Sequence, residues 1–200
     1  LLTEVHAGLP VVVLLNLGLS FVPAWHYAVL VGYDLPRREL LLRSGTTRRE
    51  AMALATFEHT WARAGRWAFA AVLPGRLPAT ARETDAADAA VGFERAQPAP
   101  PLRERTYTSV LARWPDNLVA LTGQGTARAA QGDWSGAASS FERAAQRHDS
   151  AAAWHNLALA QWQLGRHEEA RRSARQALAR AEAADPQWRD AARKLVEQLR

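Results

Sequence analysis

Short, brief apolar runs shape the first third of the chain, and a helical spacing of small residues takes over in the second half. Pro10–Asn16 (PVVVLLN) and Trp25–Tyr33 (WHYAVLVGY) read as buried strands, because each is short, apolar and rich in β-branched or aromatic residues. Asp34–Arg37 (DLPR) has the composition of a turn, so Glu39–Ser44 (ELLLRS) returns as the second arm of a hairpin. In Met52–Gly65, Leu54, Phe57, Trp61 and Ala64 fall on one helical face ahead of a glycine stop. Arg66–Pro74 (RWAFAAVLP) reads as a last strand, closed by Pro74-Gly75. The opening LLTEVHAG has the form of final helical turns ended by Gly8, and position 1 is not Met, so the expectation is a chain truncated at its front.

From Gly75 to about Pro101 the composition shifts to Ala, Pro, Thr and charge. The pattern predicts a helix over 79–96 and a stiff linker or inter-helix turn at Gln97–Pro101 (QPAPP). Everything after it is helical and repeats. Leu121, Gly125, Gly132, Ala137, Phe141 and Ala144 recur 33 residues later as Trp154, Ala158, Gly165, Ala170, Ala174 and Ala177. Small residues at these spacings let antiparallel helices approach closely, and the steps Gly132-Asp133 and Gly165-Arg166 supply the turns. Tyr107, Val110 and Pro115 form an earlier partial copy, with Arg103 where a small residue is expected. Asp185-Pro186 reads as the N-cap and first position of a final helix that closes the stack.

This pattern resembles the tetratricopeptide repeat, with a period one residue shorter than usual. The resemblance implies helix pairs at about 117–147 and 150–182 with a capping helix at 186–199. It also implies a ligand-facing wall on the first helix of each pair. In the second copy that wall holds His155, Asn156, Leu159, Trp162 and Gln163; in the first, Val119, Thr122, Gly123 and Thr126. The implied partner is a protein or peptide.

The N-terminal strings WHYAVLVGYD, LLLRSG and TFEHTWARAGRWAFAAVLPGRLPA resemble the rear half of a C39-like, papain-fold cysteine peptidase, and more narrowly a bacterial family that carries a tetratricopeptide array. By that resemblance His26 matches the general base that deprotonates a thiol, and Ser44 stands near the place of the group that orients it. If paired hairpin positions sum to 71, His26 lies opposite Gly45 and near Ser44, whose hydroxyl accepts the Nδ1 proton. Asn16 is an alternative orienter, while Asp34 is roughly 26 Å away along the same strand. The nucleophile and its preceding Gln are not in this sequence, which contains no cysteine. The family resemblance also implies a bacterial protein exported to the envelope.

Composition narrows the remaining options. A 48% apolar content supports an ordinary core, and the net charge of +5 is spread as Arg among Glu and Asp, with no basic run and no Arg cluster interleaved with aromatics. The reading therefore has no nucleic-acid partner. The run Leu9–Leu19 is broken by Pro10 and Asn16 and is too short to span a bilayer, so no membrane-spanning segment is expected. No cofactor is implied, and no His and carboxylate spacing suggests a metal site. His6 sits at a helix C-terminus, while His59, His167 and the pair Glu168-Glu169 read as solvated.

The expected architecture is an α+β half at 1–78, a partial papain-like C39 peptidase domain with an antiparallel sheet, then a helix and linker at 79–101. An all-α tetratricopeptide-repeat solenoid follows at 102–200. The leading functional expectation is a cysteine peptidase fragment with a protein-binding array, inactive on its own. The alternative is a non-catalytic adaptor on a degenerate scaffold.

Overall fold

A computed structural model describes residues 1–96 and 98–199, so Gln97 of the expected linker lies outside the described residues. The chain divides into two compact units: Leu1–Leu73 with Pro78–Ala81, and Pro74–Leu77 with Arg82 onward.

In the first unit, five antiparallel strands stand in the order β4-β3-β2-β1-β5. They are β1 Val11–Asn16, β2 Trp25–Asp34, β3 Glu39–Ser44, β4 Thr47–Ala53 and β5 Ala68–Phe69. Alternation sends Val11, Val13 and Leu15 of β1 to one face, where they join Ala28, Leu30, Leu40 and Leu42 beneath Phe57. Phe57 belongs to α2 (Leu54–Arg63), and α1 (Leu2–His6) adds Leu2 and Val5 to the edge of this cluster. Burying a Leu or Phe in this way stabilises by about 1.5–3 kcal/mol per side chain. On the other face Tyr27, Trp67 and Phe69 stay exposed and touch one another edge to face, at 5.8 and 5.4 Å between ring centroids.

Glu4 of α1 closes the unit from a buried position. Burial pushes its carboxyl upward, but hydrogen bonds from the Thr80 hydroxyl and from the Thr80 and Ala79 amides outweigh that and hold it below the ordinary carboxylate range.

Three details depart from the sequence reading. First, β2 and β3 do not keep one register: Val31 is an extra residue between the pairs Leu30↔Leu42 and Gly32↔Leu41, a β-bulge. The turn is also longer than expected, with Asp34 paired to Glu39 rather than to Arg37, and the bulge then brings Ser44 opposite Ala28 instead of Val29. Second, Thr47–Ala53 is a strand, and α2 starts at Leu54 instead of Met52. This edge strand presents Arg48 and Arg49 to solvent and lacks the apolar alternation that marks a half-buried strand. Third, the last strand pairs only at Ala68 and Phe69, opposite Val13 and Val12.

The second unit is a succession of helices: α3 Glu83–Arg95, α4 Pro100–Arg113, α5 Leu118–Ala129, α6 Trp134–His148, α7 Ala151–Gln163, α8 His167–Ala183 and α9 Arg189–Gln198. Each packs on the next. Helical packing begins with α3 and not at residue 102, because Ala86, Ala87 and Ala90 give α3 a buried face and the Tyr107 hydroxyl of α4 donates to Glu94. Pro100 and Pro101, part of the expected linker, instead occupy the first turn of α4, where a missing N–H costs nothing.

Close approach rests on glycine. A Cβ on Gly123 would sit 2.2 Å from the Tyr107 ring, and one on Gly125 would sit 2.5 Å from Phe141. A polar bridge recurs with the repeat. Arg128 donates to the Ser140 hydroxyl at 3.2 Å, and 33 residues on, Ser173 donates to Gln161 at 2.7 Å. The joint from α6 to α7 consists of Asp149 and Ser150 alone. Asp149 ends α6 in the left-handed region (φ 49°), and the Ser150 hydroxyl caps α7 by accepting from Ala153.

Asp185 is not the side-chain cap of the final helix. Its carboxylate accepts from the Ala151 amide at 2.9 Å, reinforcing the start of α7, while Pro186–Trp188 form a single 3-10 turn ahead of α9.

Candidate functional site

Two places carry the chemistry singled out in the sequence, one in each unit. In the sheet, alternation places His26 on the same face as Ala28, and Ala28 pairs with Ser44, so the imidazole reaches the hydroxyl diagonally across the strands. His26 Nε2 and Ser44 Oγ lie 2.8 Å apart, and both residues are half-buried. The bonded nitrogen is Nε2, not the expected Nδ1. Nδ1 is left on the far side of the ring.

Asn16 does not take part. It is 2% exposed, and its Oδ1 accepts from the Gly18 and Ala24 amides at 3.0 Å each, closing the loop between β1 and β2. Its carbonyl receives the Arg63 guanidinium from α2 at 2.9 and 3.3 Å. The loop it closes exposes Leu17, Leu19, Phe21 and Val22. Asp34 stands at the other end of β2, where its carboxylate accepts from the Arg37 amide of the turn. His6 lies with Nδ1 3.1 Å from the Tyr33 hydroxyl. Among the described residues no group of three His, Cys, Asp or Glu is placed to hold a metal ion.

In the helical unit, packing divides the five residues of the expected α7 wall. Asn156, Leu159 and Gln163 lie on an open stripe of α7, together with Ala152; Leu159 is 41% exposed. His155 and Trp162 turn toward the closing helix instead. The His155 ring stands 5.4 Å from Trp188, its Nδ1 is buried without a partner, and burial lowers its pKa. Trp162 packs on the cluster that includes Leu195 of α9 and Leu199 just beyond it, and meets His167 edge-on at 4.2 Å.

On α5, Val119 (43% exposed), Thr122 and Thr126 form the corresponding open stripe, while Gly123 is buried under Tyr107 and leaves the wall. Val119 and Ala152, and likewise Thr126 and Leu159, are 33 residues apart, so both stripes occupy one repeat register. The only charged side chain on either helix, Arg128, is bound to Glu104 at 2.8 Å and to Ser140 and the Gly136 carbonyl. The sequence reading missed this bridge. The same 33-residue offset, applied to polar positions such as Arg128/Gln161 and Ser140/Ser173, locates it.

No family model and no curated protein matches the chain. Solved structures do resemble it. PcrH in complex with the chaperone binding region of PopD is 20% identical with a TM-score of 0.55, covering 62% of this chain and 96% of that one; PcrH is from Pseudomonas aeruginosa. The TPR2B domain of yeast Sti1, in a complex with pHsp70, is 17% identical with a TM-score of 0.51, covering 57% and 95%. The Sgt2 TPR domain from Aspergillus fumigatus is 19% identical with a TM-score of 0.50, covering 64% and 82%. At these identities the likeness gives the fold alone: the helices form a tetratricopeptide-like helical repeat. Nothing in these comparisons extends to a C39 peptidase domain. No helix among the described residues is long and apolar enough to cross a membrane.

Proposed function

We propose that the helical unit is a protein-binding module that takes a segment of a partner chain along the open stripes of α5 and α7, in a protein that acts as an adaptor rather than by catalysis. The observation that carries this reading is the matched pair of stripes, in one repeat register, left uncovered by the packing of neighbouring helices. PcrH was solved with the chaperone binding region of PopD and the Sti1 domain, similar in fold, in a complex with pHsp70, in accord with this use of the surface. Leu159→Arg and Val119→Arg alter exposed side chains and leave the core intact. Affinity capture with the wild-type chain and these variants is the test, with Arg172→Glu on the exposed surface of α8 as control. Proteins retained by wild type and control but lost by both stripe variants support the module; an unchanged set from the stripe variants rejects it.

The 2.8 Å pair of His26 and Ser44 favours a second reading, in which the sheet unit is the rear part of a C39-like peptidase. His26 is then the general base, Ser44 holds Nε2, and Nδ1 faces a thiol supplied from outside this sequence. Peptide cleavage by the native protein that alkylation blocks and His26→Ala abolishes supports it. Cleavage that persists with Ala at position 26 sinks it.

A further inference from the structure

We infer that the segment bound by α5 and α7 is apolar and uncharged, an inference that rests on the binding reading above. The chain as a whole is 22% charged, yet α5 and α7 together carry a single ionised side chain, Arg128, and its guanidinium is already spent on Glu104, Ser140 and the Gly136 carbonyl. The depletion is not a property of the whole unit. The first half of α8, the other helix of the same pair, carries Glu168, Glu169, Arg171, Arg172 and Arg175. Charge depletion at the exposed positions of these two helices is the mark of an interface centre that becomes dry on association.

What the stripes offer in place of charge is specific. Val119 and Leu159 present apolar side chains more than a third exposed. Asn156 and Gln163 supply amides, each with both donor and acceptor atoms, suited to the backbone of an extended or helical segment. On α5 and α7 themselves a carboxylate would lose water and meet no unpaired cation, and an ammonium would meet no anion, so desolvation is not offset there. The ligand these two helices complement is therefore an aliphatic stretch with ordinary peptide groups rather than an acidic tail.

Two synthetic peptides of equal length test this on the intact chain. One is built from Leu, Ala, Val, Ser and Gly with an amidated C-terminus; the other has Asp at every third position and a free terminal carboxylate. Binding is read by fluorescence anisotropy and the contact surface by backbone amide NMR shifts. The aliphatic peptide is expected to bind at least about tenfold more tightly, to shift the amides around Val119, Asn156 and Leu159, and to lose at least about tenfold on Leu159→Asp. Because that change lies at an exposed position, circular dichroism should match wild type, and Val119→Asp serves as the second variant. Equal or tighter binding of the acidic peptide overturns the inference, and leaves the binding module standing where Leu159→Asp weakens it. If neither peptide moves those amides the inference also fails, whereas the module itself fails only when Leu159→Arg retains the same captured proteins.

Discussion

The sheet unit and the helical unit bury their interiors with opposite kinds of residue. The sheet gathers large side chains, Leu15, Leu30, Leu40, Leu42 and Phe57, against one face and leaves an aromatic cluster bare on the other. The helices draw together over Ala and Gly, so that Tyr107 and Phe141 lie directly on glycine backbone. A core of large residues fails by losing volume, and a core of small residues fails by gaining it. The two also differ in what they leave outside: an apolar surface of bulky rings in one, and stripes of small aliphatic and amide groups in the other.

The largest expected effect tests the first half of that contrast. Leu30→Ala should cost about 2–5 kcal/mol through lost burial and an unfilled cavity, seen as faster hydrogen exchange in β1–β3 by mass spectrometry. Equal acceleration throughout α5–α8 would break the comparison. Gly125→Val should cost about 3 kcal/mol by forcing its Cβ into the Phe141 ring. A double-mutant cycle with Phe141→Leu sharpens the point: the smaller partner is expected to recover part of the loss, and strict additivity would show that the glycine matters for another reason. Asn16→Ala should cost about 2 kcal/mol, because the Gly18 and Ala24 amides lose their acceptor; urea midpoints measure it.

The smallest effect is pH-dependent. Burial disfavours the charged form of His155 in the folded state and lowers its pKa below the ordinary 6.5. Above that pH neither folded nor unfolded chain is protonated there. As pH falls through 6.5 the unfolded chain binds the proton first, so stability falls by at most about 1.4 kcal/mol per pH unit until the folded pKa is passed. Thermal melts of wild type and His155→Phe between about pH 7.5 and 5.5 should diverge in slope in that direction. Parallel slopes would mean the ring titrates alike in both states.

The helical unit was the more legible in sequence because its rule is translational. Small residues that recur every 33 positions identify themselves, and the glycines of the turns follow at Gly132 and Gly165, both at positive φ. α3 escaped notice as part of the array because its buried face is only alanine and carries no bulky marker. In the sheet, Val31 reads as one more strand residue, and nothing local announces that it is the bulge that resets the pairing of Ser44. β4 was hidden by its charged, edge-facing composition. The α7 wall divided for a comparable reason. Position on the helix identified His155 and Trp162 as outward-facing, but the closing helix and Trp188 supply partners from later in the chain that no spacing within α7 reveals.

The joint at Asp149 and Ser150 bears on how such an array lengthens or shortens over time. One residue finishes a helix and the next begins another, so a genetic crossover between them passes each half on with its own terminus already formed. The longer connection from Trp114 to Asn117 confers that property less cleanly, since Asn117 alone caps α5 there, by accepting from the Ala120 amide. Copies exchanged at Asp149–Ser150 would arrive with both helix ends formed, and the Asp149 carboxylate, which binds Trp154 and Arg180 across the joint, would need the same two partners in its new neighbour.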